Sequence, residues 1–216
     1  MGAPVGPTGC TATAEEPRPW TIGLSYGFSD TRLVFVGEGR FRIQQWASAA
    51  SFVAALKNGT VLGASVGALM GGRLAHADQQ WTIEPGVVWS LTAGRRFFGQ
   101  RPAIPFLLVI GTFSGSSTRT RHGGSGETTP LHAFDGKLDL SVGWTLGEAF
   151  SPYLAVRGFG GPVLWRIDGE RVLGGDVYHV SLAVGFNLSL ANRVALYFDG
   201  AFLGLRSLGG GVSVRF

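Results

Sequence analysis

The chain has 216 residues, room for one domain, with 45% hydrophobic residues, 15% charged residues and a formal net charge of +4. Its apolar content excludes a disordered chain, its 35 glycines argue against an all-helical one, and its weak, scattered positive charge argues against nucleic-acid binding. A single cysteine, Cys10, leaves no internal disulfide framework and no cysteine-based zinc site.

Residues 1–19 read as a polar, proline-rich lead-in. Ala12-Thr13-Ala14 has the small-x-small form of a signal-peptidase site, with Glu15 as first mature residue, but no apolar segment precedes it. Either the true start lies upstream or the match is accidental, and both readings stay open. Gly9-Cys10 ends like a lipobox, yet Pro7 stands where an aliphatic residue is needed, so lipidation is not expected.

A spanning helix needs about 20 consecutive apolar residues. The longest apolar run, Ile104 to Gly111, is interrupted by Pro105. In lipid only helices and closed barrels satisfy every backbone group. High apolarity without a helical span therefore leaves a buried soluble core or a barrel.

From Trp20 onward the chain has period two. Trp20, Ile22, Leu24, Tyr26 and Phe28 alternate with Thr21, Gly23, Ser25 and Gly27, which predicts a first strand to about Val36. Gly37-Glu38-Gly39 is a tight turn. The second strand runs from about Arg40 to Leu56, its Ala-rich later part (46–56) being open to a helical reading. Asn58-Gly59 is a hairpin signal. Strand three is 61–70, a polar loop follows at 71–79, and strand four is 80–96, with Trp81, Ile83, Val87, Trp89 and Leu91 on one face. A turn near Pro102 leads to strand five, 104–118, apolar on both faces at first.

A long polar loop, 119–130, precedes strand six, 131–146, where Phe134, Leu138, Leu140, Val142 and Trp144 alternate with Asp135, Lys137, Asp139, Ser141 and Gly143. Strand seven is 153–167, with a bulge expected at Gly160-Gly161-Pro162. A loop at 168–175 leads to strand eight, 176–190; Ala191-Asn192-Arg193 is a turn, and strands nine and ten are 194–203 and 207–216. Ten strands is the expected count, with eight as the alternative. Turns after even strands are short, and those after strands three, five and seven are longer and polar.

Aromatic residues sort to the two ends. Trp20, Phe97, Phe98, Trp144, Phe150, Tyr153 and Phe216 fall at the end holding the termini, and Phe35, Phe41, Trp81, Trp165 and Tyr178 at the other. Two such girdles suit a membrane-spanning barrel. The chain ends with Phe216, preceded at two-residue spacing by Val214 and Val212, and by Leu208 earlier.

This last strand resembles the terminal signal of Gram-negative outer-membrane β-barrel proteins. The resemblance extends in strand arrangement over Trp20 to Phe216, but its sharp motif is Leu208, Val212, Val214 and Phe216. It implies an all-β, closed, antiparallel transmembrane barrel in the bacterial outer membrane, with short periplasmic turns, longer external loops, and both termini on the periplasmic side. It also implies recognition by the barrel-assembly machinery. A soluble lipocalin-type barrel is the competing architecture, but one face of each strand is too polar and small for an apolar ligand cavity.

Alternation places Arg42, Glu84, Asp135, Lys137, Asp139, Arg157, His179, Asn187, Asp199 and Arg215 inside, with Arg42, Glu84, Asp135, Lys137 and His179 toward the outer half. Buried charges of both signs need partners, so an ion-paired network filling the lumen is expected. A serine-histidine-aspartate site fails on register. His179 and Ser181 share a face, but a hairpin centred on Asn192 pairs Asp199 with Gly185, roughly 20 Å from His179 at about 3.3 Å per residue. No catalytic residue, metal site or cofactor is assigned, since His76, His122 and His132 lack ligand spacing. Arg73, Arg119, Arg121 and Arg171 are expected in external loops, where guanidinium groups suit lipopolysaccharide phosphates. The expected protein is a monomer surrounded by outer-membrane lipid, with a structural, adhesive or small-solute permeability role; an outer-membrane enzyme acting at the external rim is the alternative.

Overall fold

The computed structural model describes residues 20–56, 58–98, 104–147, 149–167, 169–190 and 193–216. The predicted lead-in with its Ala12-Thr13-Ala14 motif and Cys10, the turn at Pro102, and Ala191-Asn192 lie outside the described residues.

Strands β1 (Trp20–Phe35), β2 (Gly39–Ala55) and β3 (Thr60–His76) are unbroken. The fourth crossing is β4 (Gln79–Ile83) followed by β5 (Gly86–Phe98). It is interrupted at Glu84-Pro85, where proline has no N–H for the ladder. β6 (Phe106–His122) and β7 (Thr128–Gly143) are again continuous. β8 (Phe150–Gly160) and β9 (Val163–Ile167) form the seventh crossing, broken at Gly161-Pro162, where the sequence predicts a bulge. β10 (Glu170–Asp176) and β11 (Val180–Ser189) form the eighth, and β12 (Val194–Leu203) and β13 (Leu205–Arg215) complete the set. Thirteen segments therefore make ten crossings. β13 pairs antiparallel with β1 from Thr21↔Arg215 to Asp30↔Arg206, which closes the ring.

The ring changes width along its axis. At the end holding the termini it contains ten strands: β1, β2, β3, β5, β6, β7, β8, β11, β12 and β13. β12 and β13 are short and reverse at Gly204, which has φ +70 and whose Cβ, if present, would lie 2.5 Å from the Val180 carbonyl oxygen. Beyond that hairpin β10 pairs directly with β1, from Leu33↔Asp176 to Phe35↔Gly174. The distal tier is thus an eight-strand ring of β1, β2, β3, β4, β6, β7, β9 and β10.

Polarity inverts between the tiers. In the ten-strand tier Leu24, Val66, Leu91, Leu138, Val180 and Val184 are exposed on the outward face, whereas Ser65, Ser90, Ser141 and Ser181 are buried inside. A wall in lipid needs that outward apolar face. In the eight-strand tier the inward residues Leu33, Phe35, Phe41, Ile43, Leu74, Trp81, Ile83, Leu131, Val163 and Trp165 form one buried cluster. Arg32, Arg42, Arg73, Thr82, Arg121 and Arg166 stand outward. That is the polarity of a barrel standing in water.

Two expectations are corrected, one on loops and one on aromatics. The long external loops at 71–79, 119–130 and 168–175 are mostly strand, leaving distal turns at 36–38, 77–78 and 123–127. Their polar composition belongs to strands whose outward face meets water. Residues 46–55 are strand, as the second-strand reading has it, and the helical alternative falls. Phe35, Phe41, Trp81 and Trp165 leave the outer girdle and pack on one another inside, with Phe35–Phe41 centroids 5.3 Å apart and Trp81–Trp165 5.2 Å. The outward aromatics near the tier boundary are Tyr26, Phe28, Trp46, Trp89, Phe113, Phe134 and Phe202, joined by Tyr178. At the opposite end Trp20, Phe97, Phe98, Trp144, Phe150 and Phe216 are exposed as expected, but Tyr153 turns inward and is buried.

Candidate functional site

The lumen of the wide tier is filled unevenly. β1, β2 and β3 line it with Gly23, Ser25, Ala47, Ala49, Ser65 and Gly67, while β6, β8 and β12 contribute Phe106, Leu108, Ile110, Tyr153, Arg157 and Tyr197. Small residues on one wall thus make room for long ones on the other. Phe106, Leu108, Ile110, Tyr153, Ala155, Ala183 and Ala201 form a second apolar cluster.

Arg157 is the hub of the polar interior. Its Nε donates to Asp139 Oδ1 at 2.7 Å, its Nη1 to Asp199 Oδ1 at 2.7 Å and its Nη2 to Asp199 Oδ2 at 2.6 Å. The last two contacts form a bidentate fork, the strongest arrangement an arginine and a carboxylate can make. The Tyr153 hydroxyl donates to Asp199 Oδ2 at 2.7 Å, and Lys137 Nζ lies 3.3 Å from Asp139 Oδ2. Asp135 stands one inward position from Lys137 and accepts from the Gly160 N–H at 3.0 Å through Oδ1. A cavity of about 80 Å³ remains beside this network, lined among others by Ser29, Gln45, Thr112, Lys137, Tyr197 and Ser207. It has room for a few waters.

Four strands position these groups. Asp139↔Arg157 is a direct cross-strand pair of β7 and β8, and Gly185↔Asp199 is one of β11 and β12, the register the sequence predicts. That register keeps His179 and Asp199 well apart along the strands.

Of the ten residues expected inside, Asp135, Lys137, Asp139, Arg157 and Asp199 converge; Asn187 is buried and, like Arg215, stands nearer the end holding the termini, while Arg42, Glu84 and His179 do not join the network. Arg42 lies outward, its Nε donating to Asp30 Oδ1 at 2.9 Å. Glu84 lies outward, ion-paired with Arg121. The cause in β4 is the interruption at Glu84-Pro85, which moves the inward face from odd residues (Trp81, Ile83) to even ones (Val88, Ser90). For Arg42 the cause is the apolar interior of the distal tier, which takes Phe41 and Ile43 instead. His179 is exposed at the break between β10 and β11, its Nδ1 3.2 Å from the Phe159 carbonyl oxygen.

Arg73, Arg119, Arg121 and Arg171 all lie within strands, on the outward face of the distal tier, rather than in loops. Leu208, Val212, Val214 and Phe216 share the outward face of the last strand, with Leu208 and Phe216 well exposed. Alternation from a single register missed Tyr153, Tyr197 and the aromatic plug. Pro85 and Gly161-Pro162 were the signals that the register must change. Among the described residues no group of three or more metal-ligating side chains occurs.

No family model matches the chain, and no curated protein matches it in sequence. Solved structures do. The outer membrane protease OmpT from Escherichia coli aligns with a TM-score of 0.54 at 10% identity, covering 94% of this chain and 100% of that one. The translocator domain of the autotransporter NalP from Neisseria meningitidis aligns at 0.49 and 13% identity, covering 94% and 91%. The β domain of the Bordetella autotransporter BrkA aligns at 0.47 and 18% identity, covering 92% and 99%. The fold is that of a bacterial outer-membrane β-barrel. With its outward apolar belt, this barrel resides in the outer membrane. At these identities the likeness speaks of fold alone, and nothing of OmpT's protease activity transfers with it.

Proposed function

We propose that this outer-membrane barrel has a structural role and that its lumen does not conduct. The observation that carries this reading is the apolar plug of the eight-strand tier. An eight-strand ring is just wide enough for side chains to fill, and here Phe35, Phe41, Trp81 and Trp165 meet edge-to-face or tilted across it. Ions entering from the wide tier would meet the Arg157 network and then a dry barrier. A solute-permeability role needs a path around both. An enzymatic role at the rim needs converging catalytic groups, and His179, Ser181 and Asp199 do not converge.

The outward, exposed Phe216 and Leu208 at the end of the chain support recognition by the barrel-assembly machinery, with the termini on the periplasmic side and the distal tier outside the cell. Short distal turns support a function exercised on the membrane and its lipids rather than through long adhesive loops. A single closed ring with all edges paired supports a monomer.

The test is planar-bilayer recording of the refolded protein beside the double variant Phe41→Ala/Trp165→Ala. The expected result is a flat wild-type baseline and discrete current steps from the double variant, which also proves insertion. Steady unitary currents from the wild type would refute the reading.

A further inference from the structure

Outward arginines populate the distal part of the strands. Arg32, Arg42, Arg73, Arg119, Arg121, Arg166, Arg171 and Arg206 lie on the outward face of strands beyond the apolar belt, against Asp30 and Glu84 among outward strand carboxylates. The lowest of them, Arg32, Arg42 and Arg206, sit a few residues past the aromatics Tyr26 and Trp46, whose rings favour a membrane interface. Nothing in the folding of a barrel demands this. A soluble outward face could be served equally by glutamate, serine or threonine.

One sector is shaped as well as charged. The ladder between β2 and β3 slips at Trp46/Ala47, opposite Gly71, which has φ +116. β4 breaks beside it at Glu84-Pro85. The two irregularities open an outward groove whose lining includes Tyr26, Trp46, Met70, Thr82, Glu84 and Arg121. Trp46 stacks on Tyr26 at 5.5 Å, making a flat apolar floor. Above it, Arg73 and Arg121 both pair across the ladder with Thr82, one from each side. Their backbones are therefore two interstrand spacings apart, roughly 10 Å. Arg121 pairs with Glu84 and Arg42 with Asp30, while Arg73 forms no ion pair among the described residues.

We infer that this groove is a binding site for a lipid A-type glycolipid, a diglucosamine carrying two phosphates and several acyl chains. Its occupant must be amphiphilic, because the floor is apolar and continuous with the belt while the rim is cationic. Two separated arginine forks suit two phosphates on one rigid headgroup better than one phosphodiester. The inference rests on the reading that the distal tier lies outside the cell, where such a lipid forms the leaflet.

The experiment uses the full chain refolded into phosphatidylcholine nanodiscs and titrated with bisphosphorylated lipid A, monophosphorylated lipid A or phosphatidylglycerol. Bound lipid is counted by native mass spectrometry, and Trp46 fluorescence is read alongside. The expected order is bisphosphorylated above monophosphorylated above phosphatidylglycerol. Arg73→Gln/Arg121→Gln should weaken lipid A binding about tenfold or more. Arg166→Gln/Arg171→Gln, on another sector, should leave it within twofold. Equal binding of phosphatidylglycerol, or equal loss in both double variants, would overturn the site in favour of diffuse anionic attraction; unchanged binding in Arg73→Gln/Arg121→Gln would overturn it outright. Nanodiscs expose both faces, so these outcomes do not depend on orientation. Surface labelling of Ser125→Cys in whole cells, against the unsubstituted chain, tests the outside placement separately.

Discussion

Replacing Arg157 with methionine isolates the lumen network. Methionine fills most of the volume, so the loss is chiefly one of charge and hydrogen bonds. The guanidinium contacts two carboxylates, but the two are left in different states. Asp139 keeps Lys137 at 3.3 Å. Asp199 loses both oxygens' arginine partners and keeps the Tyr153 hydroxyl at 2.7 Å. An uncompensated buried charge after removal of its partner costs about 3–5 kcal/mol. Most of that cost should sit on Asp199.

The prediction is therefore one of asymmetric rescue. Arg157→Met should destabilise the refolded barrel by about 3–5 kcal/mol. Adding Asp199→Asn should recover most of the loss, whereas adding Asp139→Asn should recover little and strand Lys137. Reversible urea unfolding in lipid vesicles, followed by tryptophan fluorescence, measures each corner of the cycle. A loss below about 1 kcal/mol, typical of a solvent-screened pair, would refute the claim that the hub is buried from bulk solvent. Equal rescue by the two asparagine substitutions would refute the assignment of the burden to Asp199.

Deletion of Phe216 should lower the yield of heat-modifiable barrel in cells but leave in-vitro refolding nearly unchanged, since the exposed ring adds little to the fold beyond a backbone bond from its N–H to Trp20 at 3.0 Å; unchanged cellular yield would count against a terminal signal. Val184→Arg, in the apolar belt, should cost about 2–4 kcal/mol, whereas Leu173→Arg, outward in the distal tier, should cost under about 1 kcal/mol; equal costs in vesicle unfolding would contradict the change of surroundings between tiers. Asp30, beyond the belt, has its carboxyl pKa lowered chiefly by the hydrogen bond from Arg42. The stability this provides is present above the unfolded value of about 3.9 and lost as pH falls through the lowered one. Thermal scans should therefore separate wild type from Asp30→Asn at pH 6 and bring them together near the acid end; a gap that persists in strong acid would sink the assignment.

The wide tier was legible because one period governs it. From Leu138 to Val142 and from Val180 to Leu188 each strand alternates cleanly, and the inward positions of Asp139, Arg157 and Asp199 follow from counting. The distal tier was not legible by the same count. Lipid surrounds only part of each strand, and where it ends the meaning of an apolar residue reverses. Phe41 and Trp165 read as girdle aromatics if outward is apolar throughout, and Arg42 then reads as lumen charge. β6 shows the limit most directly. Phe106, Leu108 and Ile110 face the lumen cluster while Leu107 and Val109 face outward, so hydrophobicity alone cannot say which set is which.

The narrowing explains why the charges sit where they do. Two extra strands widen the lower ring, and the sector they add faces inward through Tyr197, Asp199, Ala201, Gly209, Gly211 and Ser213. That wider space cannot be closed by the short residues of β1, β2 and β3, so it needs long side chains from the far wall. Arg157 is long enough to reach from β8 to Asp199 on β12, and its charge then requires Asp139 and Asp199 to accompany it. In the upper ring the same span is shorter, aromatic rings meet directly, and no charge is needed to bridge it. Polar filling below and apolar filling above are two solutions to one constraint, the width fixed by strand number. The short β12–β13 hairpin, turning at Gly204, decides at what height one gives way to the other.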